Sequence, residues 1–163
     1  MGRPEQTFAA GKFLTWIAVI LVLLTAAAVW FRITHLGREP LASITAGSLR
    51  TIHTACLVYS STYGTGFPSS LSKLGSSGPA NAGAADLIDN VLASGVKSGY
   101  TFSYQADAPV NGVIRHYSVH ADPLARGQTG QYSFYLDDSG VIRYSATSPA
   151  TLKDPPLGQM VNH

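Results

Sequence analysis

Apolar residues dominate from Phe13 to Phe31 (FLTWIAVILVLLTAAAVWF), 19 positions with no charge, Gly or Pro. At a rise of about 1.5 Å per residue, a helix of that length reaches about 28 Å, close to the ~30 Å hydrocarbon core of a bilayer. Phe13 and Trp16 near one edge and Trp30 and Phe31 at the other suit the headgroup layer, and Lys12 and Arg32 bracket the run. The pattern predicts a retained transmembrane helix over 13–31, preceded by an N-terminal cytoplasmic segment, 1–12. A core helix of a soluble protein would show a polar face. A cleaved secretory signal is the competing reading, with Arg3 and Lys12 as its basic region and Ala26-Ala27-Ala28 as a cleavage site. Against it, the apolar run continues beyond those alanines to Trp30-Phe31. Basic residues flank the span on both sides, so charge leaves the orientation open.

A juxtamembrane linker, 32–40, ends at Pro40, which suits the first turn of a new helix. From Leu41 to Tyr63 the apolar positions Leu41, Ile44, Leu49, Ile52, Cys56, Tyr59 and Tyr63 recur at helical spacing. Ser43, Thr45, Ser48, Arg50, Thr51, Thr54 and Ser60 fall mostly on the other side. Gly64 to Pro68 stops this helix. A Gly-, Ser- and Pro-rich loop over 65–84 is expected to be pinned by Phe67, Leu71 and Leu74. A short helix over 84–94 follows, with Asp86 and Asp89 in its first turns and Gly95 past its end. The period then changes to two. Strands are predicted at Tyr100–Gln105, Val113–Val119, Tyr132–Leu136 and Val141–Ser145, with turns at Asn111-Gly112 and Asp137-Asp138-Ser139-Gly140. The fold expected is α+β: an N-terminal transmembrane helix, then a second, amphipathic helix packed on a small antiparallel sheet of about four strands. The globular domain covers 41–146, and 147–163 is expected to be a flexible tail.

Charged residues make up 12% of the chain, against about a quarter in typical soluble domains, so Ser, Thr, Gly, Asn and Tyr must cover the surface. The net charge of +2 belongs entirely to residues 1–40, leaving the rest neutral. That distribution lacks the basic footprint of a nucleic-acid binder. Cys56 is the only cysteine, which excludes an intrachain disulfide and any multi-cysteine metal site. Its place in the apolar stripe marks it as a small buried hydrophobe.

Candidate chemistry is sparse. Ser70-Leu71-Ser72-Lys73 matches S-x-x-K and Lys97-Ser98-Gly99 approaches K-T-G, but the S-D-N element of serine β-lactamases is missing and the body is too small for that fold. His116 and His120, four residues apart on one strand, would stand about 13 Å apart, too far to share an ion. His53 reads as a surface or interface group, and His35 and His163 have no partners in sequence. Asp122, Asp137 and Asp138 could contribute to a calcium site, although turn aspartates bonding their own backbone are the simpler reading. No catalytic, cofactor-binding or metal residue is assigned, and the chain is read as a non-enzyme with no cofactor.

The order of elements resembles type IV pilins, closest in style to the major pseudopilin of type II secretion systems. Phe67-Pro68-Ser69-Ser70-Leu71-Ser72-Lys73-Leu74-Gly75 is similar to the proline-leucine segment after the family's long helix. Ser98 to Tyr104 is similar to the aromatic strand that opens its sheet, and Tyr132 to Arg143 to its closing hairpin with an aspartate-glycine turn. The resemblance implies a bacterial inner-membrane protein, single-pass, with its C-terminal domain outside the cytoplasm. It also implies a structural subunit that packs through helix and sheet with copies of itself or with pilus or secretion machinery. It raises the calcium reading at Asp137 and Asp138. The chain departs from the family at its N-terminus. Gly11 precedes Lys12 rather than a phenylalanine, the fifth residue onward is Trp16 rather than glutamate, and the span holds no carboxylate. The alternative expectation is a membrane-tethered exported module whose aromatic-rich sheet binds a small ligand or glycan.

Overall fold

The structure, a computed structural model, describes residues 19–29 and 39–162. The chain divides between Gly37 and Arg38 into two compact units. In the first, residues 19–29 form helix α1, whose side chains are exposed on every side. Among the described residues, no helix is long and apolar enough to cross a membrane. The remaining positions of the expected span, 13–18 and 30–31, lie outside the described residues, as do 1–12 and most of the linker.

The second unit is α+β. Helix α2 (Glu39–Tyr63) has Pro40 in its first turn, where no N–H is needed, and ends at Gly64, whose φ of 67° carries the chain out of the helix. Its buried side is broader than its apolar stripe. Ala42, Thr45, Ala46, Ser48, Leu49, Ile52, Ala55, Cys56 and Tyr59 all face the core. Thr45 and Ser48, expected on the polar side, are buried because each hydroxyl donates to a carbonyl of its own helix, that of Leu41 at 2.8 Å and of Ile44 at 3.1 Å. A small side chain with a satisfied hydroxyl can sit where a sheet approaches closely. Ile44, expected in the buried stripe, is instead exposed.

After α2, Leu71 and Leu74 anchor a short 3-10 helix (Leu71–Leu74). The predicted helix at 84–94 shrinks to α3 (Asn90–Ala93), capped by the Asp89 carboxylate, which accepts from Leu92 N–H. Its expected first turns are irregular, with Asp86 at a φ of 53°, because their backbone pairs elsewhere: Ala85 N–H donates to Lys73 C=O at 2.8 Å and Leu87 N–H to Leu74 C=O at 2.8 Å.

The sheet has five antiparallel strands in sequential order: β1 (Val96–Lys97), β2 (Tyr100–Ala106), β3 (Tyr117–Pro123), β4 (Ser133–Asp137) and β5 (Arg143–Ser145). Tyr100, Phe102, Tyr117, Val119, Ala121, Phe134 and Leu136 point to the core, and α2 packs against β3 and β4. The second predicted strand is displaced toward the C-terminus. Asn111-Gly112, at φ 53° and 78°, closes a tight hairpin between Val110 and Val113 that lies outside the sheet, and Ile114 bridges to Gly66 instead. The ladder with β2 starts only where Tyr117 faces Ala106.

The tail expected to be loose runs back along β5. Tyr144 N–H donates to Pro155 C=O at 3.1 Å, Leu157 N–H to Ile142 C=O at 2.8 Å, and the Arg143 guanidinium to Asp154 C=O at 2.9 Å. Prolines are tolerated there because Pro156 stands at a bridge position whose missing N–H points away from β5.

Candidate functional site

The side of α2 turned away from the sheet carries exposed apolar residues that the domain's own packing does not explain. Ile44, Leu57 and Val58 are 46%, 48% and 41% exposed. Between them run Gly47, Thr51 and Thr54, completing an outward stripe at three- and four-residue spacing. A side chain at Gly47 would meet nothing within 4 Å. Thr51 returns its hydroxyl to Gly47 C=O at 3.1 Å, which satisfies it within the helix. A depression of about 330 Å³ borders the stripe, lined by Arg50, Thr51, Thr54, Ala55, Val58 and Leu87. Small side chains flanked by larger aliphatic ones allow another element to approach closely. Leu57 and Val58 had a signal in sequence: Cys56-Leu57-Val58-Tyr59 is an apolar run wider than one helix face can bury.

Under the opposite side of α2 lies a polar chain within the core. The His53 Nδ1 and the Tyr117 hydroxyl are 2.7 Å apart. Tyr117 and Tyr104 lie beside Cys56, and Tyr104 donates to Pro68 C=O at 2.8 Å. Burial pushes the Cys56 thiol up to about 12, and the neighbouring Tyr104 and Tyr117 hydroxyls offset only part of that shift. Burial likewise raises Tyr104 and Tyr117 above the ordinary phenol range, with Cys56 adding to both. A thiol held neutral is no nucleophile. In the native chain Cys56 is therefore expected to resist a thiol-specific reagent at pH 8 and to react at once in denaturant. The sign of the pH dependence follows. The unfolded thiol ionises near 9 and the folded one near 12, so stability is fully present below pH 9 and falls as pH rises from 9 to 12. Thermal melts over that interval should show the loss, with a shallower slope in Cys56→Ala.

The remaining sequence candidates are dispersed. Ser70 Oγ is 2.9 Å from Ser72 Oγ, and Lys97 is ion-paired with Asp89 at 2.6 Å. The Lys97 hydrogen bond holds the Asp89 carboxyl below the usual range, with the Leu92 N–H assisting. Asp137 accepts from both the backbone N–H and the hydroxyl of Ser139, and Asp138 pairs with His116 at 3.1 Å. Asp122 lies four residues along β3 from Ser118, the partner of Asp137, and so about 13 Å away. Among the described residues no three His, Cys, Asp or Glu side chains converge as metal ligands. His120 stands edge-on to Tyr135 at 5.1 Å on the outer face of the sheet.

Four of the eight tyrosines direct their hydroxyls inward: Tyr59 to Ala82 C=O, Tyr100 to Tyr132 C=O, Tyr104 to Pro68 C=O and Tyr117 to His53. Compared with protein families, curated proteins and solved structures, the chain matches none.

Proposed function

We propose that this chain is a membrane-anchored structural subunit of pilin or pseudopilin type, acting by packing and not by catalysis. Its partners would be the lipid bilayer, copies of itself, and pilus or type II secretion machinery. In this reading it is a single-pass protein of a bacterial inner membrane, with residues 39–162 outside the cytoplasm. The observation that carries the proposal is the uncovered stripe of α2: a 25-residue helix buries one side on its own sheet and leaves Ile44, Leu57 and Val58 outward. The apolar, polar-face-free sequence of 13–31 supports the anchor, and Ala26-Ala27-Ala28 offers a close-approach surface within it.

Full-length chain is expected to sediment with membranes, to require detergent for release, and to run as assemblies larger than a monomer in mild detergent. Leu57→Asp with Val58→Asp should shorten those assemblies while lowering the melting temperature far less than a core substitution does, because about half of each side chain already faces water. A strict monomer in mild detergent would refute assembly. A soluble protein whose N-terminus begins near Val29 would refute the anchor.

The alternative of an aromatic sheet that binds a ligand is weakened by the inward tyrosyl hydroxyls, which leave Tyr135 as the aromatic residue on the outer face of the central strands.

A further inference from the structure

We propose that the loop end of the domain holds a binding site for a small organic monoanion with a flat apolar body, of the aromatic carboxylate class, with Lys73 as its counter-charge. This inference does not depend on the structural-subunit reading.

A cavity of about 290 Å³ opens there, lined in part by Tyr59, Phe67, Ser69, Lys73, Pro109 and Ile114. Its volume is near the lower end of small-molecule sites, about 300–1,000 Å³. Phe67, Pro109 and Ile114 make apolar walls, and Ser69 adds a hydroxyl. Lys73 is the only charged residue of the lining. It is half-buried and makes no ion pair among the described residues, whereas Lys97, its counterpart on β1, is bound to Asp89. An ammonium partly removed from water with no carboxylate beside it gains from an incoming anion. One lysine is a single point charge, which matches a monoanion better than a phosphate, whose several oxygens call for several donors.

The walls are held in place by the chain itself. Phe67 N–H donates to Ile114 C=O at 2.9 Å and Ile114 N–H to Thr65 C=O at 3.2 Å. Val110 and Val113 exchange both backbone bonds, at 2.9 and 3.1 Å, around the Asn111-Gly112 turn. Tyr59 Oη reaches Ala82 C=O at 2.7 Å and ties in the third loop. Loops fixed in this way lose little freedom when a ligand enters, so even a small molecule can bind measurably. Lys73 contributes to the fold through its carbonyl, which accepts from Ala85 N–H, and its side chain is free for another role.

The test is a heteronuclear NMR titration of isotope-labelled full-length chain in a non-ionic detergent. Benzoate is the probe, and benzamide is its uncharged analogue of the same shape. Benzoate should give saturable shifts at the amides of Gly66, Phe67, Gly112 and Ile114, and benzamide weaker ones at the same positions. Lys73→Met should weaken benzoate about tenfold or more while leaving benzamide unchanged, and Lys73→Arg should restore benzoate. A spectrum of Lys73→Met that superimposes elsewhere shows that the fold is intact. The proposal is overturned if benzoate gives no saturable shift at those amides, or if Lys73→Met binds benzoate as well as the parent chain does.

Discussion

Gly66→Ala is expected to destabilise the domain by about 3–4 kcal/mol, read as a shift of the urea midpoint. Gly66 has a φ of 76°, which costs an alanine about 1–2 kcal/mol. Its new Cβ would overlap the Ile114 carbonyl oxygen and lie 2.8 Å from the Ile114 nitrogen. Those are backbone atoms and cannot rotate aside, so the Gly66–Ile114 bridge must open and release its two hydrogen bonds, each contributing about 1 kcal/mol. Gly47→Ala is the matched control. Gly47 lies inside α2 with open space beside it, so alanine there should raise stability by about 0.5–1 kcal/mol. Equal effects at both glycines would refute the bridge as the cause.

Phe134→Ala is expected to cost about 3–5 kcal/mol, the usual range for emptying an aromatic site in a core. Phe134 is fully buried on β4, paired with Ala121 of β3 and Tyr144 of β5, with its ring centroid 6.1 Å from that of Tyr100. Folded domains are stable by only about 5–15 kcal/mol, so the variant should lose near-ultraviolet dichroism well below the parent melting temperature. Tyr135→Ala, one residue along and on the opposite face, should cost much less, because its ring packs on His120 at the surface. A similar loss at both positions would contradict the two-faced sheet.

Much of the fold is legible along the chain because its signals are local. The long helix shows itself by apolar spacing and stops at Gly64. Tyr100, Phe102 and Tyr104 announce a strand by alternation, and Gly140 supplies the positive φ of the last hairpin. The failures share a cause. The segment 84–88 has helical spacing, yet the carbonyls of Lys73 and Leu74 capture its N–H groups. Val113 and Ile114 have strand character, yet Ile114 bridges to Gly66, far away in sequence. Pro155 and Pro156 look like breakers until β5 offers a neighbour on the side where the Pro155 carbonyl and Leu157 N–H can pair. The candidate face of α2 was half legible: its small residues could be read, but not that Ile44 faces outward.

The order of residues by itself determined the apolar run of 13–31, the extent of α2, the turn glycines, the neutrality of the domain and the lack of a second cysteine. Each depends on a residue's own chemistry or on neighbours within a few positions. Tertiary structure decided which side of α2 is covered, where β3 begins, that the tail closes along β5, and that three separate loops line an open cavity beside Lys73. Those outcomes turn on which distant backbone groups reach each other first and leave no polar atom stranded, a competition that a local pattern does not encode.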